Sequence, residues 1–367
     1  MEHAGVASHR RGGARLLLCA TDAGGARNLA ALCNPAKQRG WETFLVTRKA
    51  LAPLFAEPGS LFIEDLAGGI EACIREVKPS AIICGTTCYE SPDREALALA
   101  GRLGVPGVAV VDEWYNHLLR FSTRAGRAFP DAIAVPDDFA RREAIAEGVP
   151  PEICHATGSP SLALIAGLGE VWRGSPPALP GAMKETEGAT VVTFLSETHS
   201  ADYGESPGHS GPLGPFLGYT EQSVCRSILE TLGRLPGKFV FLYRPHPAET
   251  GFPEWPGHPA NVECRMVRSG PLHPLCHHSD LVLGMRSMAI LEAALIGCRV
   301  ASFQPGLLGP QVCTAVRLGM VPLFGDAASL SGWINENRSK DAHRKARGPR
   351  PDFARPDAAD NILRLVA

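Results

Sequence analysis

Residues Ser279 to Pro305 read SDLVLGMRSMAILEAALIGCRVASFQP, and this stretch decides the fold. It begins as a short apolar strand, passes a tight turn, forms a helix and ends in a second apolar strand. That is one repeat of a parallel α/β sheet. The turn Gly284-Met285-Arg286-Ser287 opens the helix. A helix start offers unpaired N–H groups and the positive end of the dipole, which suits a phosphate. Glu292 follows on a helix that otherwise reads Met288-Ala289-Ile290-Leu291 and Ala293-Ala294-Leu295-Ile296. A lone carboxylate in such a context is costly without a partner. The hydroxyls of a ribose are one candidate and Arg286 is another. The stretch therefore points to a nucleoside diphosphate, as in a nucleotide-sugar, at the C-terminal end of a parallel sheet.

The same alternation extends through the chain. Residues 14–20 form an apolar run ending at a glycine-rich turn. A helix is predicted from Ala26 to Gln38, a strand from Glu42 to Thr47 and a helix from Glu71 to Val77. The strand Ala81 to Cys84, the helix Arg94 to Leu103 and the strand Gly107 to Val111 follow. Residues Ala132 to Val135 and the helix Asp138 to Glu147 complete the first set. The strands are continuously apolar, as expected where both faces of a sheet are covered. Residues 173–188 are rich in Pro, Gly, Ser and charge and read as a linker. A second set opens at Thr190-Val191-Val192-Thr193-Phe194-Leu195. A long loop is predicted over Ala201 to Gly218, then the helix Glu221 to Leu235 and the strand Lys238 to Tyr243. The expected organisation is a disordered tail over 1–13, an N-terminal domain over 14–172 and the linker over 173–188. A C-terminal domain over 189–335 follows, then residues 336–367 as a basic loop and a helix packing back towards the first domain. Two such halves place a cleft between two sets of strand ends.

Composition narrows the function classes. With 36 Lys and Arg against 38 Asp and Glu, the formal charge is −2, and no basic surface advertises nucleic acid. No run of eighteen apolar residues is available to span a membrane, which leaves peripheral association open. The basic N-terminus precedes only a short apolar run, so it reads as a tail and not a signal segment. The 11 cysteines are scattered and form no CxxC pair. Buried free thiols in a reducing cytoplasm are expected, with no structural metal.

Ligands of such sheets bind beyond the carboxyl ends of strands, so the strand-to-helix turns hold the candidates. Asp22, Gly24 and Gly25 follow the first strand. The glycines allow close backbone approach, and Asp22 is placed to act as a general base. Thr86 follows a buried strand and suits sugar hydroxyls. Asp112, Glu113 and Trp114 follow another: the carboxylates accept from hydroxyls or act as a base, and the indole stacks on a sugar. The plainer alternative there is a loop-anchoring tryptophan with Asp112 paired to Arg120. In the second half Ser196, Glu197 and His199 follow a strand, with Ser196 suited to phosphate and Glu197 and His199 to acid/base work. Arg244 and His246 lie in Arg244-Pro245-His246-Pro247, where two prolines stiffen the exit from a strand. A fixed cation there stabilises a leaving phosphate; the plainer alternative pairs Arg244 with Glu249.

Taken together these motifs resemble the GT-B superfamily, enzymes of nucleotide-sugars built from two Rossmann-like doubly wound parallel-sheet domains facing across a cleft. Arg244-Pro245-His246-Pro247 resembles an element of polysialyltransferase-like, capsule and teichoic-acid glycerophosphotransferase proteins. Residues 284–297 resemble the phosphate- and ribose-binding helix of the superfamily, also found in non-hydrolysing UDP-N-acetylglucosamine 2-epimerases. Carried over, Ser287 takes the phosphate role and Glu292 the ribose role. Met285 and Arg286 stand where small residues are usual. His199 is followed by Ser200 and Ala201, without the histidine–arginine pairing of the epimerases. The resemblance implies a cytoplasmic, metal-independent glycosyltransferase with no cofactor beyond its nucleotide-sugar donor and a glycan or small-molecule acceptor. The donor would lie against Arg244, His246, Arg286, Ser287 and Glu292. The acceptor would lie near Asp22, Thr86, Asp112, Glu113 and Trp114. An epimerase or hydrolase of the same fold and a non-catalytic binding protein are the alternatives.

Overall fold

The computed structural model describes residues 14–54, 60–123, 126–249, 258–338 and 350–366. The tail expected over 1–13 and most of the expected basic loop lie outside them. The chain divides into two units, Met1–Leu164 with Arg350–Ala367, and Ile165–Pro349.

The first unit contains, in order, β1 (Arg15–Ala20), α1 (Ala23–Gln38), β2 (Glu42–Thr47), β3 (Leu61–Phe62), α2 (Gly69–Val77), β4 (Ala81–Cys84), α3 (Pro92–Leu103) and β5 (Gly107–Val110). A small ribbon of β6 (Ser122–Thr123) and β7 (Gly126–Arg127) precedes β8 (Ala132–Val135), α4 (Asp138–Glu147) and β9 (Cys154–Ala156), and the division between the units falls within the next helix, α5 (Pro160–Val171). Seven strands form one sheet in the order β3-β2-β1-β4-β5-β8-β9, and its pairings are parallel. Every residue of β4, β5 and β8 is buried, as continuous apolar strands require in a sheet covered on both faces. Helix α1 starts three residues before the sequence reading placed it. The Asp22 side chain caps it, accepting from the Gly25 N–H at 2.8 Å, which satisfies one of the four free donors of the first turn.

The second unit contains β10 (Thr190–Leu195), α6 (His199–Tyr203), the ribbon β11 (Ser210–Gly211) and β12 (Gly214–Pro215), α7 (Glu221–Arg234), β13 (Phe239–Arg244), β14 (Val262–Met266), α8 (Leu272–His278), β15 (Leu281–Gly284), α9 (Met288–Leu295), β16 (Val300–Phe303), α10 (Thr314–Arg317), β17 (Leu323–Phe324) and α11 (Ala327–Asn337). Its sheet runs β14-β13-β10-β15-β16-β17, again all parallel. The fold class is therefore α/β with two doubly wound parallel sheets. Ala201 to Gly218 is not the bare loop expected. Gly211 lets the ribbon pack against the Asp202 backbone, where a Cβ would sit 2.3 Å from a carbonyl oxygen. Residues 173–188 are likewise tied down. Met183 is buried in a core with Val191 and Leu242, and the Arg265 guanidinium binds the carbonyls of Ala182 and Lys184 at 2.9 and 2.6 Å.

The final helix, α12 (Ala358–Leu363), belongs with the first unit. Ile362 and Leu363 share a core with Leu16, Leu29 and Leu32, and Asp360 pairs with Arg39 at 2.8 Å. All eleven cysteines are free thiols, most of them buried. Among the described residues no helix is long and apolar enough to cross a membrane.

Candidate functional site

In each sheet the strand order reverses beside the first strand, between β1 and β4 in one unit and between β10 and β15 in the other. Ligands of doubly wound sheets bind beyond the strand ends at this point.

In the first unit Asp22, Thr86 and Asp112 meet beyond the ends of β1, β4 and β5. The backbones of Gly25 and Gly85 touch across the switch point, for a Cβ on Gly85 would stand 3.0 Å from the Gly25 Cα. A Cβ on Gly24 would stand 1.8 Å from Asp112 Oδ2. Gly24 thus makes room for Asp112, where the sequence reading left that space to a ligand. Buried Arg120 organises the group. Its Nη1 donates to the Thr86 carbonyl at 2.9 Å, to Thr86 Oγ1 at 3.0 Å and to Asp112 Oδ1 at 3.3 Å. The Asp112–Arg120 pair named above as the plainer alternative is present.

Asp22 differs from its neighbour. Its Oδ1 is used by the helix cap, and its buried Oδ2 has no hydrogen-bond partner among the described residues. Burial first, and the Asp112 charge second, push its pKa from 3.8 to about 7. Behind it Asp93 is fully buried and accepts from the Thr21 N–H at 3.3 Å, and burial raises its pKa as well. One carboxylate fixed by arginine beside another poised near neutrality is the arrangement of a general base with a charged companion.

Trp114 stands apart from this chemistry. It is 0% exposed, packs edge-on against Phe353 at 5.5 Å and donates its indole N–H to Asp137 at 3.0 Å. It has no face open to a sugar, because the loop after β5 turns it into the core. Glu113 is partly buried.

In the second unit the turn after β15 carries the expected helix start. Ser287 caps α9, its hydroxyl accepting from the Ala289 N–H at 3.0 Å. The N–H groups of Arg286 and Ser287 both point at one carboxylate oxygen, Glu197 Oε1, at 2.7 and 3.0 Å. Glu197 Oε2 lies 3.1 Å from His199 Nε2. Burial pushes the Glu197 pKa up, but His199 and the two N–H groups outweigh it and hold it below the usual glutamate value. Met285 is buried in the core, and its carbonyl accepts from Gln304 at 3.0 Å and from Ser302. The Arg286 guanidinium lies over the Tyr203 ring, 4.7 Å from its centroid, and bonds its hydroxyl. Ser196 Oγ and Tyr243 Oη are 2.7 Å apart, and Tyr243 donates to Glu249.

Two residues have partners the sequence reading did not name. Glu292, 4% exposed, meets His273 Nε2 at 2.8 Å, not Arg286. His273 lies nineteen residues earlier, on α8, so no local spacing signals the pair. Arg244 does not bind Glu249. Its guanidinium donates to the carbonyls of Val267, Ser269 and Gly270 at 3.1, 2.9 and 3.0 Å, closing the loop after β14. His246 is exposed, and its Nδ1 accepts from the Ala248 N–H at 3.2 Å. Glu249 is instead held by Tyr243 and by the His246 N–H at 3.1 Å.

No protein-family model matches the chain, and no curated protein matches it. Solved structures do. The UDP-GlcNAc 2-epimerase from Neisseria meningitidis bound to UDP-GlcNAc aligns over 96% of this chain and 99% of its own, with a TM-score of 0.63 and 14% identity. The UDP-N-acetylglucosamine 2-epimerase from Rickettsia bellii aligns over 96% of each chain, with a TM-score of 0.63 and 14% identity. The glycotransferase of kitacinnamycin aligns over 97% of this chain and 100% of its own, with a TM-score of 0.60 and 14% identity. At such identities the likeness establishes the fold, two parallel-sheet α/β domains of the GT-B-like kind. These neighbours are mostly epimerases, with a glycosyltransferase among them.

Proposed function

We propose that the chain is a nucleotide-sugar enzyme in which Asp22 is the general base, and that its reaction is glycosyl transfer to a hydroxyl. The observation that carries this reading is the buried Asp22 Oδ2, without a hydrogen-bond partner among the described residues, beside the arginine-held Asp112. Asp22 takes the proton of the acceptor hydroxyl. The freed oxygen bonds to the anomeric carbon as the bond from that carbon to the donor phosphate breaks. The electron pair leaves on the nucleoside diphosphate. Asp112 is held by Arg120, and its proximity, with burial, raises the Asp22 proton affinity for the task. A base whose pKa matches the working pH transfers protons most efficiently. No metal is assigned to the reaction. The donor belongs to the second unit, at the start of α9, with Arg286 as the adjacent cation.

Epimerisation is the second reading, favoured by the predominance of UDP-GlcNAc 2-epimerases among the structural neighbours. One experiment separates the two. The protein is incubated with UDP, CDP, GDP and dTDP sugars, with and without a mixture of hydroxyl acceptors. Transfer requires the acceptor. Epimerised or free sugar without acceptor supports the second reading. Loss of turnover in Asp22→Asn is expected for either, and a fully active Asp22→Asn protein overturns the assignment of the base.

A further inference from the structure

The N–H groups that the sequence offers to a phosphate are already engaged. Glu197 Oε1 accepts from both Arg286 and Ser287, which is the pairing an anion makes at a helix start. The carboxylate comes from the turn after β10, the neighbouring strand of the switch point. Its second oxygen faces His199, and its side chain is 12% exposed. A phosphate oxygen and Glu197 Oε1 cannot share this position, and two anions this close repel strongly away from water.

We propose that Glu197 is an internal ligand of this helix start and sets its selectivity: a nucleoside diphosphate enters only by displacing the carboxylate. The inference rests on the placement of the donor in the second unit. Displacement needs no new partner for Glu197, since His199 already holds its other oxygen. A small anion such as inorganic phosphate brings only its own charge and does not dislodge the carboxylate. A nucleotide brings base and ribose contacts that offset the loss. Glu197 therefore weakens every anion at this position, and only those with contacts elsewhere still bind.

The test is calorimetric titration of the full chain with UDP, CDP, GDP, ADP and dTDP, and separately with inorganic phosphate. Wild type, Glu197→Ala and Glu197→Gln are compared. Glu197→Ala is expected to bind at least one nucleotide about tenfold or more tightly than wild type, and to gain measurable binding of phosphate. Glu197→Gln keeps an acceptor oxygen but loses the charge, so a smaller gain is expected, and it decides the matter where Glu197→Ala does not fold. A nucleotide that binds wild type and binds both folded variants equally or more weakly overturns the internal-ligand role and leaves the donor reading standing. Absence of binding to wild type and variants alike overturns both.

Discussion

Replacing Asp22 by asparagine tests the N-terminal site through stability as well as turnover. The side chain keeps its shape, and the amide oxygen still accepts from the Gly25 N–H, as Oδ1 does at 2.8 Å. What changes is the charge beside Asp112. The Asp22 pKa rises from 3.8 to about 7 in the folded chain, through burial and then through Asp112. The folded state therefore holds this proton more tightly than the unfolded state. With more protons bound in the folded state, wild type loses stability as pH rises from about 4 to about 7. Raising the pKa from 3.8 to about 7 corresponds to about 4 kcal/mol at most. Asp22→Asn escapes this loss, so it is expected to be about 2–4 kcal/mol more stable than wild type at pH 8. The difference should vanish below about pH 4, where the Asp22 carboxyl is protonated in the folded and unfolded wild type alike. Hydrogen exchange of the β1 and β4 amides reports the N-terminal unit separately from the rest of the chain. Wild type and variant are compared at each pH. Turnover is expected to fall by about 10²–10⁴-fold in the same variant, the usual worth of a positioned base. A variant no more stable than wild type at pH 8, or an advantage that grows on acidification, would refute the reasoning.

Gly24→Ala places a Cβ 1.8 Å from Asp112 Oδ2 and should push that carboxylate off Arg120; a folded protein with turnover reduced by about 10²-fold is expected, checked by circular dichroism and steady-state kinetics. Trp114→Ala should cost about 3–5 kcal/mol as a core deletion while leaving nucleotide affinity unchanged by calorimetry; a selective loss of sugar binding without loss of stability would restore the stacking role. Glu292→Ala should weaken donor binding at least tenfold (about 1.4 kcal/mol) where His273→Ala does not; equal effects of the two would reduce Glu292 to the partner of His273. Arg244→Lys should destabilise the second unit by about 1–3 kcal/mol, read from chemical denaturation, because a compact ammonium does not reproduce the two-nitrogen fork that reaches the carbonyls of Val267, Ser269 and Gly270.

Much of the fold was legible because burial on both faces of a parallel sheet leaves unmixed apolar runs such as Ala81 to Cys84 and Leu281 to Gly284. The elements that escaped lack either such a run or a distinct polar face. Strand β3 is two residues long, β14 carries Glu263 and Arg265, and α5 is apolar nearly all round. In the candidate sites, the sequence shows which polar residues follow which strands. Asp22, Thr86 and Asp112 converge because three parallel strands end side by side, a consequence of strand order that periodicity cannot reveal. The segment Ser279 to Pro305 shows the division most clearly. Strand, turn, helix and strand follow from local propensity, and so does the anion-seeking helix start. Which anion sits there was decided by β10 lying next to β15, which brings Glu197 across 89 residues to the Arg286 N–H. The partner of Glu292 was likewise decided by α8 packing on α9. Local sequence dictates which hydrogen-bonding groups a turn presents; only the tertiary neighbours determine what answers them, because a buried charge accepts whichever complementary group packing brings within about 3 Å.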